Sequence, residues 1–112
     1  MSDVLTDINA AIAEYGRSMV LRRRVGTGTS FRSVQVRGIE RQYRPGELLG
    51  DIAQGDAQVV ISDKEIAADG WPGPPRRGDQ MVIDGRVWTL MGAAARRLGD
   101  VVLVHECWIR GG

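Results

Sequence analysis

Two Gly-Asp pairs that are each followed directly by strand-forming residues constrain the fold more than any other feature of this sequence. Gly55-Asp56 precedes residues 57–61, and Gly78-Asp79 precedes residues 80–83. The second run continues through Asp84-Gly85, a dipeptide typical of a two-residue β-hairpin turn. Two tight turns that each lead into a strand predict a small β protein.

The overall composition limits the class of protein. The 112 residues are predicted to form one domain, 1–112, with an ordinary apolar content of 43%. The net charge of +1 predicts no strongly basic surface overall. The single Cys107 excludes an internal disulfide and a cysteine-based zinc site. Since no apolar stretch approaches ~20 residues and Asp3 and Asp7 do not fit a secretory leader, a soluble cytoplasmic protein is expected.

Periodicity predicts one helix followed by short strands. Residues 3–15 carry apolar side chains at the spacing of an amphipathic helix, and Gly16 would end it. The period then changes to two, and six strands are expected at 18–25, 32–43, 57–62, 80–83, 86–90 and 101–110. The predicted fold is mainly β, a small six-stranded barrel or sandwich, with an N-terminal α-helix at 3–15 and a β domain at 18–110.

The second strand has an alternation that changes phase. Val34 and Val36 share one face, whereas Ile39 and Tyr43 would share the other. A β-bulge at Gly38 would bring all four side chains inward, and it is therefore predicted there.

Two later segments and one strand face also have predictions. The segment 63–77 contains three of the four prolines and is expected to be an irregular surface excursion. Residues 92–100 are expected to form a loop or a short helical turn. In the first strand, Met19, Leu21 and Val25 are predicted to face inward.

Catalysis and metal binding receive little support from the residue pattern. His105 and Cys107 leave the same face of the last strand, which fits either a nucleophile pair or an ordinary core strand, but no orienting third group is evident. Asp56, Asp79 and Asp100 each follow Gly, where a carboxylate typically fixes a turn; a three-carboxylate metal site is the alternative. We predict a non-enzymatic protein without cofactors, in which Asp56 and Asp79 are structural turn residues.

Arginines and one tryptophan are the candidate interface residues. Arg22 and Arg24 lie in the one basic cluster, and Arg76 and Arg77 form a second pair. They would contact acidic neighbours or DNA phosphate. Trp71 lies in the Pro-rich segment, where it is either an exposed anchor for a partner protein or a side chain folded back over the end of the barrel.

The order of these features resembles the head–tail joining proteins of tailed phages and prophages, also called head-closure or stopper proteins. That family has a short N-terminal helix followed by a compact β barrel or sandwich. The resemblance covers nearly the whole chain in layout, and the matching segments are 3–15, 19–25, 52–61, 75–79, 84–88 and the last strand, which ends at Arg110.

The resemblance implies a role in the virion, at the neck between head and tail, after assembly in the host cytoplasm. The chain would form a homo-oligomeric ring on the portal or adaptor ring, help to retain packaged DNA, and present the docking surface for tail-tube or tail-terminator proteins. By likeness to the family, the loop 44–54, with Arg44, Glu47, Leu48 and Leu49, would face the channel. The alternatives are a tail-completion or tail-terminator protein and a single-strand nucleic-acid-binding barrel. The isolated chain is expected to be monomeric and to assemble only on its partner ring.

Overall fold

The computed structural model describes residues 4–43, 50, 52–53, 55–71 and 73–111, and these residues form a closed six-stranded antiparallel barrel with two helices. The elements are α1 (Val4–Tyr15), β1 (Arg17–Arg24), β2 (Phe31–Gln42), β3 (Ala57–Ser62), α2 (Asp63–Asp69), β4 (Gln80–Ile83), β5 (Arg86–Leu98) and β6 (Val101–Gly111). The strand order around the barrel is β1-β2-β3-β6-β5-β4. The predicted mainly β fold is confirmed, and the architecture is a barrel.

Apolar side chains fill the interior because every second residue of a strand points inward. The fully buried large side chains within the barrel belong to Met19, Leu21, Val36, Val59, Ile61, Met81, Leu90, Cys107 and Ile109. Neither helix described in the structure is long and apolar enough to cross a membrane.

The two ends of the barrel carry different loops. Because neighbouring strands are antiparallel, β1, β3 and β5 finish at the end where β2, β4 and β6 begin. Asp79 lies at this end, directly before β4, and we call it the Asp79 end. Asp56 precedes β3 at the opposite end, which we call the Asp56 end. The two Gly-Asp turns therefore close opposite ends of the barrel.

The predicted bulge at Gly38 is wrong. Gly38 pairs with Arg17 of β1 and with Ile61 of β3 in continuous register, so β2 changes partner there without an extra residue. Ile39 consequently faces outward, where it lines a cavity together with Ile8 of α1. Helix α1 therefore packs over Ile39 on the outside of the barrel. The sequence pattern had predicted that this side chain faces inward.

Close approach of neighbouring strands explains why residue 38 is glycine. A Cβ atom there would lie 2.7 Å from Ile61 Cγ2 and 3.1 Å from the Val60 carbonyl oxygen. We expect Gly38→Ala to lower the free energy of unfolding by about 1–3 kcal/mol in urea titrations, since the added methyl overpacks the wall. Gly28→Ala is the matched control, because a Cβ at that position meets nothing within 4 Å. Equal stability of the two variants would contradict this account.

Both segments predicted to be irregular contain regular structure instead. Residues 63–69 form α2, which begins after the N-cap Ser62, whose hydroxyl accepts the Lys64 N–H at 3.2 Å, and ends at the left-handed Gly70. Residues 92–98, predicted to be a loop or helical turn, continue β5 by pairing with β6. Residues 92–98 form a strand because they pair with β6. Such long-range pairing cannot be read from the local sequence pattern.

Candidate functional site

The two Gly-Asp turns have the same geometry. The Asp56 N–H donates to the Ala53 carbonyl at 3.0 Å, and the Asp79 N–H donates to the Arg76 carbonyl at 3.1 Å. Each carboxylate then accepts the N–H of the residue three positions earlier, at 2.9 Å for Asp56 and 3.0 Å for Asp79. These contacts are those expected of a turn residue.

Each turn carboxylate also binds an arginine from the neighbouring strand. Arg23 of β1 donates two hydrogen bonds to Asp79, both 2.7 Å, in a buried bidentate pair. Arg110 of β6 donates to Asp56 at 2.9 and 3.0 Å, and the Trp108 indole donates to the same carboxylate at 2.7 Å. Because the aspartates lie at opposite ends of the barrel, they cannot share one metal ion.

Sequence reasoning missed both arginine partners. Arg23 follows Met19 and Leu21 on the inward face, so alternation alone would have indicated it. Val25, predicted to face inward with them, lies beyond β1 and is 55% exposed. The buried position of Arg23 is possible because Asp79 neutralises it, and hydrogen bonding to Asp79 raises the pKa of the Arg23 guanidinium.

Asp56 makes stability depend on pH. Hydrogen bonding from Arg110 is the largest cause that lowers the pKa of Asp56 from 3.8 to about 2. A carboxyl with a depressed pKa in the folded state stabilises that state above its ordinary pKa. This stabilisation is lost as the pH falls through the folded-state value.

We therefore expect protonation of Asp56 to lower the free energy of unfolding by about 1–2 kcal/mol between about pH 4 and pH 2. This magnitude allows for solvent screening of the ion pair, because Arg110 is partly exposed. Urea unfolding at a series of pH values measures this change. Asp56→Asn should lack this part of the pH dependence. The same acid slope in the variant and the parent protein would contradict the assignment.

The predicted arginines come together at the Asp79 end. Arg24 finishes β1 there, and Arg76 and Arg77 lie in the turn before β4; all three are exposed. Arg22 is half-buried, donates from Nε to Gln80 at 2.7 Å, and lies 4.3 Å from the Phe31 ring centroid. We call Arg22, Arg24, Arg76 and Arg77 the basic end cluster.

Trp71 is not an exposed anchor. It is only 6% exposed, and the guanidiniums of Arg23 and Arg32 lie 5.2 and 5.6 Å from its ring centroid. Its backbone N–H donates to the Ile66 carbonyl at 3.3 Å, so the chain after α2 folds back against the barrel. Of the two interpretations of Trp71, the one that folds it over the barrel end is correct.

A two-stranded arm projects at the Asp79 end, and sequence reasoning did not find it. β4 pairs with β5 only as far as Thr89, and β3 pairs with β6 only from Val104 onward. Within the part of the chain that the structure describes, residues 92–98 and 101–103 therefore pair only with each other and with nearby β6 residues. The tip of this arm exposes two apolar side chains, Leu98 at 45% and Val101 at 60%.

The His105 and Cys107 side chains are both buried in the barrel wall. His105 Nε2 lies 2.7 Å from Asp63 Oδ1, an interaction that ties α2 to β6. Burial is the main cause that raises the pKa of the Cys107 thiol to about 12, so the thiol is neutral near pH 7. Among the described residues, no group of three or more His, Cys, Asp or Glu side chains is arranged to hold a metal ion.

The channel-loop candidates Arg44, Glu47, Leu48 and Leu49 lie outside the described residues. A scan against protein-family models and a search of curated proteins both give no match to this chain. The function is therefore argued from the two surface features at the Asp79 end, the basic end cluster and the arm.

Proposed function

We propose that this chain is a structural subunit of the head–tail neck of a tailed phage. It would form a ring on the portal or adaptor, help to retain packaged DNA, and offer the surface to which the tail docks. The observation that carries the proposal is the concentration of exposed arginine and a projecting arm at one end of a closed barrel. The closed barrel is a rigid scaffold, and the loops and the arm at its end are positioned to contact partner proteins.

Two carboxylates at the Asp79 end are already paired with arginines outside the basic end cluster. Asp79 is already paired with the buried Arg23, and Asp69 is paired with Arg32 at 3.0 Å. The exposed Arg24, Arg76 and Arg77 therefore create a local positive field in a chain whose net charge is only +1. Arginine at this density suits contact with DNA phosphates or with acidic groups of a partner ring.

Disruption of the gene in the phage or prophage that encodes it tests this proposal. Electron microscopy of the lysate should reveal tailless heads that have lost DNA, together with complete free tails, and purified protein added to the extract should restore joining. Full, stable heads beside over-long or unfinished tails would instead assign the chain to tail completion. Normal tailed particles would overturn both roles.

The second candidate function is single-strand nucleic-acid binding. Phe31 is half-buried, and the guanidiniums of Arg22 and Arg24 lie 4.3 and 5.6 Å from its ring centroid. An aromatic ring flanked by arginines can stack with a nucleobase while the cations contact phosphate. Salt-dependent binding of a single-stranded oligonucleotide that is lost in Phe31→Ala would favour this function, and no binding at low salt would exclude it.

A further inference from the structure

The arm exposes apolar side chains on a ribbon that has no barrel strand on either side among the described residues, so we expect another surface to bind it. It is a two-stranded ribbon outside the barrel, and such a ribbon alone is marginally stable in water. Its tip combines the exposed Leu98 and Val101 with Asp100, which lies in the turn between them, and with the exposed Arg97. A docking surface for this tip therefore needs apolar contact, a cation for Asp100 and an acidic group for Arg97.

A groove on the opposite side of α2 from the arm has these properties. A cavity of about 310 Å³ separates the arm from one side of α2, including Ile66 and Ala67. A different cavity, of about 460 Å³, lies between α1 and α2, and its lining includes Ala10, Ala13, Arg37 and Lys64. We call this second cavity the α1–α2 groove.

The α1–α2 groove offers the arm tip small apolar side chains and charged groups of both signs. Ala10 and Ala13 are exposed and small, so another backbone can approach α1 closely and cover them with apolar side chains. Lys64 is exposed at the same groove and can pair with a carboxylate, while Arg37 adds a second cation and Glu65 an acidic group to the lining. The tip supplies the matching groups, two aliphatic side chains and Asp100.

We propose that the arm tip of one copy of this chain inserts into the α1–α2 groove of the next copy. Leu98 and Val101 then cover Ala10 and Ala13, and Asp100 pairs with Lys64. The contact joins two different surfaces of the same chain, so it is heterologous. Such a contact repeats from subunit to subunit, and it forms a ring when the rotation between neighbours closes, which the partner ring would impose. This inference rests on the proposed ring function and identifies the contact that holds the ring together.

The chain offers an unusually clean cross-linking test because Lys64 is its only lysine. A carbodiimide joins an amine to a carboxylate directly, without a spacer, and mass spectrometry identifies the joined peptides. An equal mixture of unlabelled and ¹⁵N-labelled protein separates links between copies from links within one copy. The reaction is run on the free chain at millimolar concentration and on neck-containing particles.

We expect a link between Lys64 and Asp100 that pairs a labelled with an unlabelled copy. Asp100→Lys alone and Lys64→Asp alone should each lose this link, and the double variant, which exchanges the two charges, should restore it. Leu98→Asp should weaken the contact by about tenfold or more, as loss of one buried apolar side chain predicts. Val25→Asp is the matched control, since Val25 is 55% exposed at the same end but lies outside the arm.

Three results would overturn the inference: no Lys64–Asp100 link between copies in either sample, a link unaffected by Leu98→Asp, or no recovery in the charge-exchanged variant. Such failure is distinguishable from failure of the proposed function. If gene disruption still yields tailless heads, the neck role stands and another contact joins the subunits. If disruption yields normal tailed particles while the link forms, the chain self-associates for a different purpose.

Discussion

Asp79→Asn is expected to lower the free energy of unfolding by about 3–5 kcal/mol, because it leaves the Arg23 charge buried without its partner. The side chains of Arg23 and Asp79 are only 10% and 3% exposed, and both of their hydrogen bonds are 2.7 Å long. The asparagine oxygen can still accept the Arg76 N–H that closes the turn, so the substitution keeps the turn contact while it removes the negative charge and one of the two acceptors that face Arg23. Urea unfolding near pH 7 measures the loss.

Two controls separate the buried charge from a general effect of removing carboxylates. Asp84→Asn also breaks an ion pair, with Arg17, but the two side chains are 75% and 43% exposed, so a loss below about 1 kcal/mol is expected. Adding Arg23→Met to Asp79→Asn should recover stability, since it removes the unpaired cation. An Asp79→Asn cost no larger than that of Asp84→Asn would contradict the assignment.

Reversing the charge of Arg24, Arg76 and Arg77 to Glu is expected to abolish the ability of the protein to restore DNA-filled, tailed particles in a gene-disrupted extract. The substitutions replace three exposed cations at the Asp79 end with anions that repel phosphate. The fold should persist, because none of the three side chains is buried. Counting full tailed particles by electron microscopy gives the result, and circular dichroism confirms folding.

The matched control reverses Arg17, Arg41 and Arg86, an equal change of charge on exposed residues away from the basic end cluster and outside the α1–α2 groove. This variant should retain most of the joining activity. Equal loss in both variants would mean that net charge matters and position does not. Full joining activity in the variant with Arg24, Arg76 and Arg77 reversed would show that the basic end cluster is not required for the proposed function.

Local sequence signals predicted the parts of the fold that local chemistry determines. Asp84-Gly85 adopts the positive φ values of 53° and 77° that its hairpin turn needs, and β3 has the predicted bounds, Ala57–Ser62. The helix α2 was missed although Ser62 and Gly70 are its cap and stop signals. Gly73 and the three prolines that follow Gly70 favour a loop, and the prediction extended that loop back over the residues of the helix.

Long-range pairing decided what the sequence pattern could not reveal. The Gly38 prediction failed because it assumed a buried face for Ile39, and the covering of that residue by α1 depends on tertiary packing. The arm is β-structured because residues 92–98 pair with β6, although their composition has little strand preference. The buried Arg23–Asp79 pair joins residues 56 positions apart, so neither partner alone indicates it.

An electron cryomicroscopy reconstruction of the neck of the virion that carries this chain would test the central claim most directly. We expect a ring of six-stranded barrels next to the portal or adaptor, with Arg24, Arg76 and Arg77 toward DNA or the acidic surface of the adjoining ring. Each arm should lie in the α1–α2 groove of the neighbouring subunit. A neck whose density is fully explained by other proteins, in particles that lack this chain by mass spectrometry, would contradict the account.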